Sequence, residues 1–211
     1  MNKRGLFISV EGIDGAGKST HIAFISEYLK NLGYPVTLTR EPGGTDLGEK
    51  IRGLLLNSTN MHKITELLLM FASRQELIHN VIMPNLDNGV CVIADRFIDA
   101  SIAYQGIGRG LGIDTVEKVI SILEPQITTD LTILFDTPLP IALHRVSRSR
   151  NKDRIENEAD NFFSAVQKAY HDIVKLAPHR VKLISTDQPK EDTQKMIATL
   201  LANLVSSTRG G

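Results

Sequence analysis

A single cysteine, no excess charge of either sign and no apolar run of membrane-spanning length set the first limits on this 211-residue chain. Cys91 lies in Val90-Cys91-Val92-Ile93, where a small buried side chain is the natural reading and a disulfide framework is excluded. Twenty-four basic residues balance 24 acidic ones, so the chain reads as neither a general nucleic-acid binder nor a membrane-surface binder. Any arginines that handle phosphate must then be locally concentrated. The basic start Met1-Asn2-Lys3-Arg4 leads into an apolar run that stops at Glu11, which does not fit a removable signal. The six histidines show no ligand-like pairing. These shortages predict a cytoplasmic protein with no membrane and no nucleic-acid partner. The length suits one compact domain over residues 1–209, without linker or repeat.

What is present is concentrated first in Gly5 to Thr20. A short β-rich apolar run breaks into glycines and ends in Gly17-Lys18-Ser19, filling G-x-x-x-x-G-K-[ST] from Gly12 to Ser19. Glycines let the backbone curl so that successive N–H groups point at phosphate oxygens, and a helix opening at Lys18 adds the positive end of its dipole. Gly12, Ile13, Asp14, Gly15, Ala16, Gly17, Lys18, Ser19 and Thr20 are therefore the candidate residues for a nucleotide triphosphate, which the resemblance given below makes ATP. Lys18 is placed for the β/γ oxygens and Ser19 for Mg²⁺.

After this loop, Ile22, Ile25, Leu29 and Leu32 recur at helical spacing up to Gly33, and Val36 to Thr39 reads as a second strand. Strand, helix, strand in that order predicts a right-handed βαβ unit in a parallel sheet. Arg40-Glu41-Pro42-Gly43-Gly44-Thr45 closes the second strand at its carboxyl end, the ligand side of such sheets. A cis peptide at Glu41-Pro42 would fit that rigid turn. Asp46 to Leu56 and Ile64 to Asn80 read as helices, and Val90 to Ala94 as a buried strand delivering Asp95-Arg96-Phe97. A carboxylate at such a strand end, following a phosphate loop, predicts that Asp95 shares the Mg²⁺ with Ser19. Gly106-Ile107-Gly108-Arg109-Gly110 reads as a flexible connection, and Asp114 with Glu117 as a capping box opening a helix to Leu123. A fourth strand, Leu131 to Phe135, ends at Asp136. The next helix runs into Arg145, Arg148, Arg150, Lys152 and Arg154, a basic cluster expected to act as a mobile lid over about 145–157. An amphipathic helix marked by Phe162, Phe163, Val166, Tyr170 and Ile173, a strand at Val181 to Ile184 and a closing helix complete an alternating pattern. That alternation predicts an α/β, doubly wound, five-stranded parallel sheet.

Taken together, Glu11 to Thr20, Arg40 to Thr45, Phe71 to Arg74, Asp95-Arg96-Phe97, Ser101 to Gln105, Asp153-Arg154-Ile155-Glu156 and Thr186 to Pro189 resemble the bacterial thymidylate kinases over nearly the whole length. The resemblance implies the P-loop nucleoside monophosphate kinase fold, a homodimer, and transfer of the ATP γ-phosphoryl group to dTMP. It implies that Phe71 stacks on thymine and Arg74 hydrogen-bonds its O4, with Pro42, Ser101 and Gln105 also at the acceptor. Arg96 would hold the dTMP phosphate, Tyr104 would crowd the 2′ position, and Asp14 would meet the 3′-hydroxyl. Thr186 to Pro189 would lie near adenine. Neither Asp14 nor Ala16 supplies a cation in the loop, so the chain resembles the members with lid arginines, and the implied catalytic set is Lys18, Arg96, Arg148 and Arg154, with Arg150 the alternative to Arg148.

The chemistry agrees with this reading. A phosphate acceptor is already ionised and needs no general base, so catalysis reduces to positioning and charge neutralisation by Lys, Arg and Mg²⁺. A GTP-dependent switch would need an Asn-Lys-x-Asp signature, which Asn151-Lys152-Asp153 does not supply. A deoxynucleoside kinase would need a base for a hydroxyl acceptor, and an idle scaffold would not need intact phosphate, metal and lid residues.

Overall fold

The computed structural model describes residues 4–148, 153–156 and 158–209. Its five strands are β1 (Phe7–Glu11), β2 (Val36–Arg40), β3 (Cys91–Asp95), β4 (Leu131–Asp136) and β5 (Val181–Ser185). All pair in parallel, in the order β2-β3-β1-β4-β5. The helices are α1 (Lys18–Asn31), α2 (Asp46–Asn57), α3 (Lys63–Leu77), α4 (Met83–Asp87), α5 (Ile98–Ser101), α6 (Ile113–Ile120), α7 (Leu139–Ser147), α8 (Asp160–Leu176) and α9 (Lys190–Arg209).

The three inner strands are almost wholly buried, while β2 and β5 at the edges are half exposed. A parallel sheet covered by helices on both faces has this signature. Strand alternation divides the apolar residues between two cores. Ile8, Val10, Cys91, Ile93, Ile133 and Phe135 pack with residues of α1, α8 and α9. Phe7, Val92 and Ala94 pack with residues of α2, α3 and α6 on the other side. Full burial of one such side chain stabilises by about 1.5–3 kcal/mol.

The register places Val10 beside Asp95, and Asp95 beside Arg40, so three strand ends present their loops along one rim. Cys91 is buried and free, as its apolar neighbours required.

Three local readings are corrected. The helix expected to reach Asn80 is α-helical only to Leu77 and widens into a π-helix at Ile78–Ile82. The glycine-rich tract is no flexible connection: Ile102–Gly108 winds as a second π-helix, tied back by Arg109 N–H to the Tyr104 carbonyl at 2.7 Å and Gly112 N–H to the Gly106 carbonyl at 2.9 Å. Packing against α6 and α8 holds it, and no local sequence signal encodes that packing. Asp114 is not a cap, because Gly112, anchored by that same bond, starts α6 before it, and no side chain caps the helix. The helix also ends at Ile120, short of Leu123.

Candidate active site

The phosphate loop joins β1 to α1. Gly12 has φ 133°, and a Cβ there would sit 2.4 Å from the Phe135 carbonyl oxygen; Gly15 has φ 81°, with a Cβ 2.3 Å from the Ala142 carbonyl oxygen. Only glycine satisfies both the backbone and the space. The loop therefore lies close against β4 and α7. The first turn of α1 has no acidic residue, leaving its N–H groups to an anion. Lys18 is buried, and its Nζ donates to the carbonyls of Gly12 and Ile13 at 3.1 and 3.2 Å. Burial lowers its pKa, reinforced by the nearby positive charge of Arg96.

A cleft of about 440 Å³ opens at this rim, within the range of ligand pockets. It brings together Asp14, Gly15, Gly17, Lys18, Ser19, Thr20, Pro42, Asp95, Arg96, Tyr104 and Gln105 from the residues singled out in the sequence. Gly12, Ile13 and Ala16 form the back of the loop and do not line it. Phe71, Arg74 and Ser101 are buried and do not line it. The Glu41-Pro42 peptide is cis, as the turn suggested.

Arg96 is the one non-glycine with positive φ, 74°, among the described residues. Such a backbone costs about 1–3 kcal/mol and survives only where the surroundings enforce it. Here Arg96 N–H donates to the Val10 carbonyl at 3.0 Å, while Nη2 donates to Asp14 Oδ1 at 2.8 Å and Nη1 to the Tyr170 hydroxyl at 3.3 Å. The guanidinium carbon lies 4.8 Å from the Tyr104 ring centroid. Burial alone would raise the Asp14 carboxyl, but the positive charges of Arg96 and Lys18 hold it at about 2. Glu11, on the same side of β1 as Ser9, accepts from Phe97 N–H at 2.7 Å and from the Tyr170 hydroxyl at 2.8 Å. Burial, with Asp99 nearby, pushes the Glu11 carboxyl up to about 8.

On the other side of the cleft, Arg74 lies between Phe71 and Phe97, its guanidinium carbon 4.5 and 5.3 Å from their ring centroids. It pairs with Glu41 and donates to the Phe97 carbonyl at 3.0 Å. Three buried polar atoms of this region have no hydrogen-bond partner among the described residues: Arg74 Nη1, Ser101 Oγ and Gln105 Oε1. Buried polar groups usually have a partner, so each of these is a candidate contact for a ligand.

The arginines expected in a lid are divided. Arg148 is exposed at the C-terminal end of α7. Arg154 stands away from the cleft lining, with Nε donating to the Leu55 carbonyl at 2.9 Å and Nη2 2.7 Å from Glu66 Oε2. Arg150 lies outside the described residues, as does part of the expected lid. Three further arginines, Arg40, Arg52 and Arg145, line the cleft outside the implied site set. Arg145 donates to the Gly15 carbonyl at 2.9 Å, and Arg52 to the Pro42 carbonyl at 2.9 Å. Arg145 was visible as part of the basic run, whereas nothing local distinguishes Arg52 from a solvated helix residue. Glu66 was also silent in sequence, read only as part of an amphipathic helix. Buried, it binds Gln105, Arg109 and Arg154 at once.

For a metal, Asp95 Oδ1 is buried and without a hydrogen-bond partner among the described residues, and Ser19 lies exposed on the first turn of α1 in the same cleft. An all-oxygen pair of this kind fits a hard divalent cation.

Comparison with known proteins agrees with this geometry. A family model described as thymidylate kinase matches residues 10–197. The chain is 46% identical over 206 residues to the thymidylate kinase of Bordetella pertussis, covering 98% of this chain and 99% of that one. It is 45% identical over 201 residues to that of Ruthia magnifica, covering 94% and 98%. A crystal structure of thymidylate kinase from Ehrlichia chaffeensis superposes with a TM-score of 0.77 at 32% identity, covering 94% of this chain and 99% of that one. The fold, the loop and these matches together place the chain in the thymidylate kinase family.

Proposed function

We propose that the cleft binds ATP and dTMP side by side and transfers the γ-phosphoryl group to the dTMP phosphate, yielding dTDP for dTTP and DNA synthesis. The observation that carries this reading is the meeting of two cationic centres on one rim. Lys18 in the phosphate loop suits the donor phosphates, and Arg96, which meets Lys18 across the shared Asp14 Oδ1 oxygen, suits an acceptor that already carries a phosphate. An ionised acceptor oxygen needs no proton removed, so the residues act by alignment and by neutralising negative charge as it shifts between donor and acceptor.

Within this reading, residues 12–20 hold ATP. Arg74 Nη1 offers a donor to O4, Gln105 Oε1 an acceptor to N3–H, and the Ser101 hydroxyl a third polar contact. Phe71 and Pro42 shape the base pocket, and Tyr104 crowds the 2′ carbon. Asp14, kept ionised by Arg96, accepts from the 3′-hydroxyl. Ser19 and Asp95 would hold Mg²⁺, which supplies positive charge to the β/γ oxygens when bound. Arg148 and Arg154 are the lid cations of the catalytic set, and Arg154 would exchange Glu66 for phosphate. We also read the protein as a cytoplasmic homodimer of single-domain subunits. Leu47 and Leu54 on α2 and Leu68 on α3 are each about half exposed, offering apolar surface to a second copy. No helix among the described residues is long and apolar enough to cross a membrane.

The test is ADP formation from ATP and Mg²⁺ with dTMP, dUMP, UMP, AMP or thymidine as acceptor. Strong preference for dTMP supports the reading; phosphorylation of thymidine but not dTMP overturns it. Sedimentation in solution tests the dimer.

A further inference from the structure

We propose that Glu11 and Tyr170, neither of which lines the cleft, form a positioning relay that aims Arg96 at the acceptor phosphate. The inference rests on Arg96 being the acceptor-phosphate ligand, as proposed above. Its basis is one carboxylate gripping both ends of the same residue's conformation. Glu11 Oε1 accepts the N–H of Phe97, directly after Arg96, at 2.7 Å, and so fixes the turn in which Arg96 has φ 74°. Glu11 Oε2 accepts the Tyr170 hydroxyl at 2.8 Å. That hydroxyl has only one proton, and with it committed to Glu11 its oxygen faces Arg96 Nη1 as an acceptor at 3.3 Å. Three elements, β1, the β3–α5 turn and α8, thus converge on one guanidinium.

The arrangement has a directional logic. Arg96 has five N–H donors in a rigid fork. Asp14 takes one on Nη2 and Tyr170 one on Nη1, holding the fork from two sides. The ring of Tyr104 lies 4.8 Å from the guanidinium carbon. The remaining donors are then oriented before a phosphate arrives, which suits two-pronged recognition of an oxyanion. Tyr170 and Glu11 are buried, so their contribution is through Arg96 and not through contact with the nucleotide. They are positioning residues.

Binding of dTMP and of thymidine, measured by calorimetry on the full chain well above pH 8, where Glu11, raised to about 8, is an ionised carboxylate, separates this role from general support of the pocket. Tyr170→Phe is expected to weaken dTMP about tenfold while leaving thymidine, which has no phosphate, unchanged. Glu11→Gln should do the same, because its amide places a donor against the Tyr170 oxygen where a carboxylate accepted. The double variant should lose no more than either single one, the signature of residues acting in series. Equal losses for dTMP and thymidine, an unchanged dTMP affinity in Tyr170→Phe, or additive losses in the double variant would each overturn the relay. Arg96→Ala, run alongside, distinguishes the two proposals: if it leaves the dTMP-to-thymidine ratio unchanged, the phosphate assignment itself is wrong; if it collapses that ratio while Tyr170→Phe does not, only the relay fails.

Discussion

Arg74 and Glu41 form an ion pair closed off from solvent, in which Nε and Nη2 both donate to the same Oε2 oxygen, at 2.8 and 2.5 Å. Their side chains are 0% and 2% exposed. Removing one member of such a pair leaves the other charge buried without compensation, at a cost of about 3–5 kcal/mol. Glu41→Ala should therefore lower Tm by roughly 6–20 °C in a chain of this size. A melt within two degrees of the parent protein would show that the pair contributes little.

Glu11 gives stability a pH dependence of definite sign. Its carboxyl is raised from 4.5 to about 8 by burial and by Asp99, against the opposing pull of Arg96. Between those values the folded state binds more protons than the unfolded one, so this group's stabilisation is complete below pH 4.5 and is lost as pH rises through 8. Denaturant midpoints measured from pH 5 to 8 should fall, with a contribution of at most about 1.4 kcal/mol per pH unit from this site. In Glu11→Gln that component should vanish. An identical slope in parent and variant would contradict the shift.

Asp95 is predicted to matter through the metal. Asp95→Ala should raise the Mg²⁺ concentration needed for half-maximal rate while barely changing thermal stability, since Oδ1 has no hydrogen-bond partner to lose among the described residues. Chelation with EDTA should abolish turnover of the parent protein. A variant with an unaltered Mg²⁺ requirement would remove Asp95 from the metal site.

Arg154 is predicted to act in the chemical step. An arginine stabilising a transferring phosphoryl group contributes roughly 10³ to 10⁵ in rate, so Arg154→Ala should lower kcat by about that factor with a small change in the KM for dTMP. Unchanged turnover would leave Arg154 only its observed role, tying residues 153–156 to Glu66 and the Leu55 carbonyl.

Much of this architecture was legible locally. Gly12 and Gly15 are demanded by close approach of the loop to β4 and α7, and the apolar runs of β1, β3 and β4 by burial on both faces. Those constraints act within a few residues, so they leave a pattern along the chain. The π-helix at Ile102–Gly108 did not, because its glycines resemble a loop until α6 and α8 pack against it.

The sequence by itself determined the order of strands and helices, the phosphate loop and the carboxylate that ends β3, since each depends on residue type and spacing. Only the tertiary structure decided which charges meet. Asp14 with Arg96, 82 positions apart, Arg74 with Glu41, 33 apart, and Tyr170 with Glu11, 159 apart, are paired by the crossing of the sheet and not by any motif. It also decided which arginines reach the cleft, placing Arg40, Arg52 and Arg145 there with Arg96, and Arg154 on Glu66. Charged side chains look alike in a sequence; burial and a partner's distance are what give each one a role.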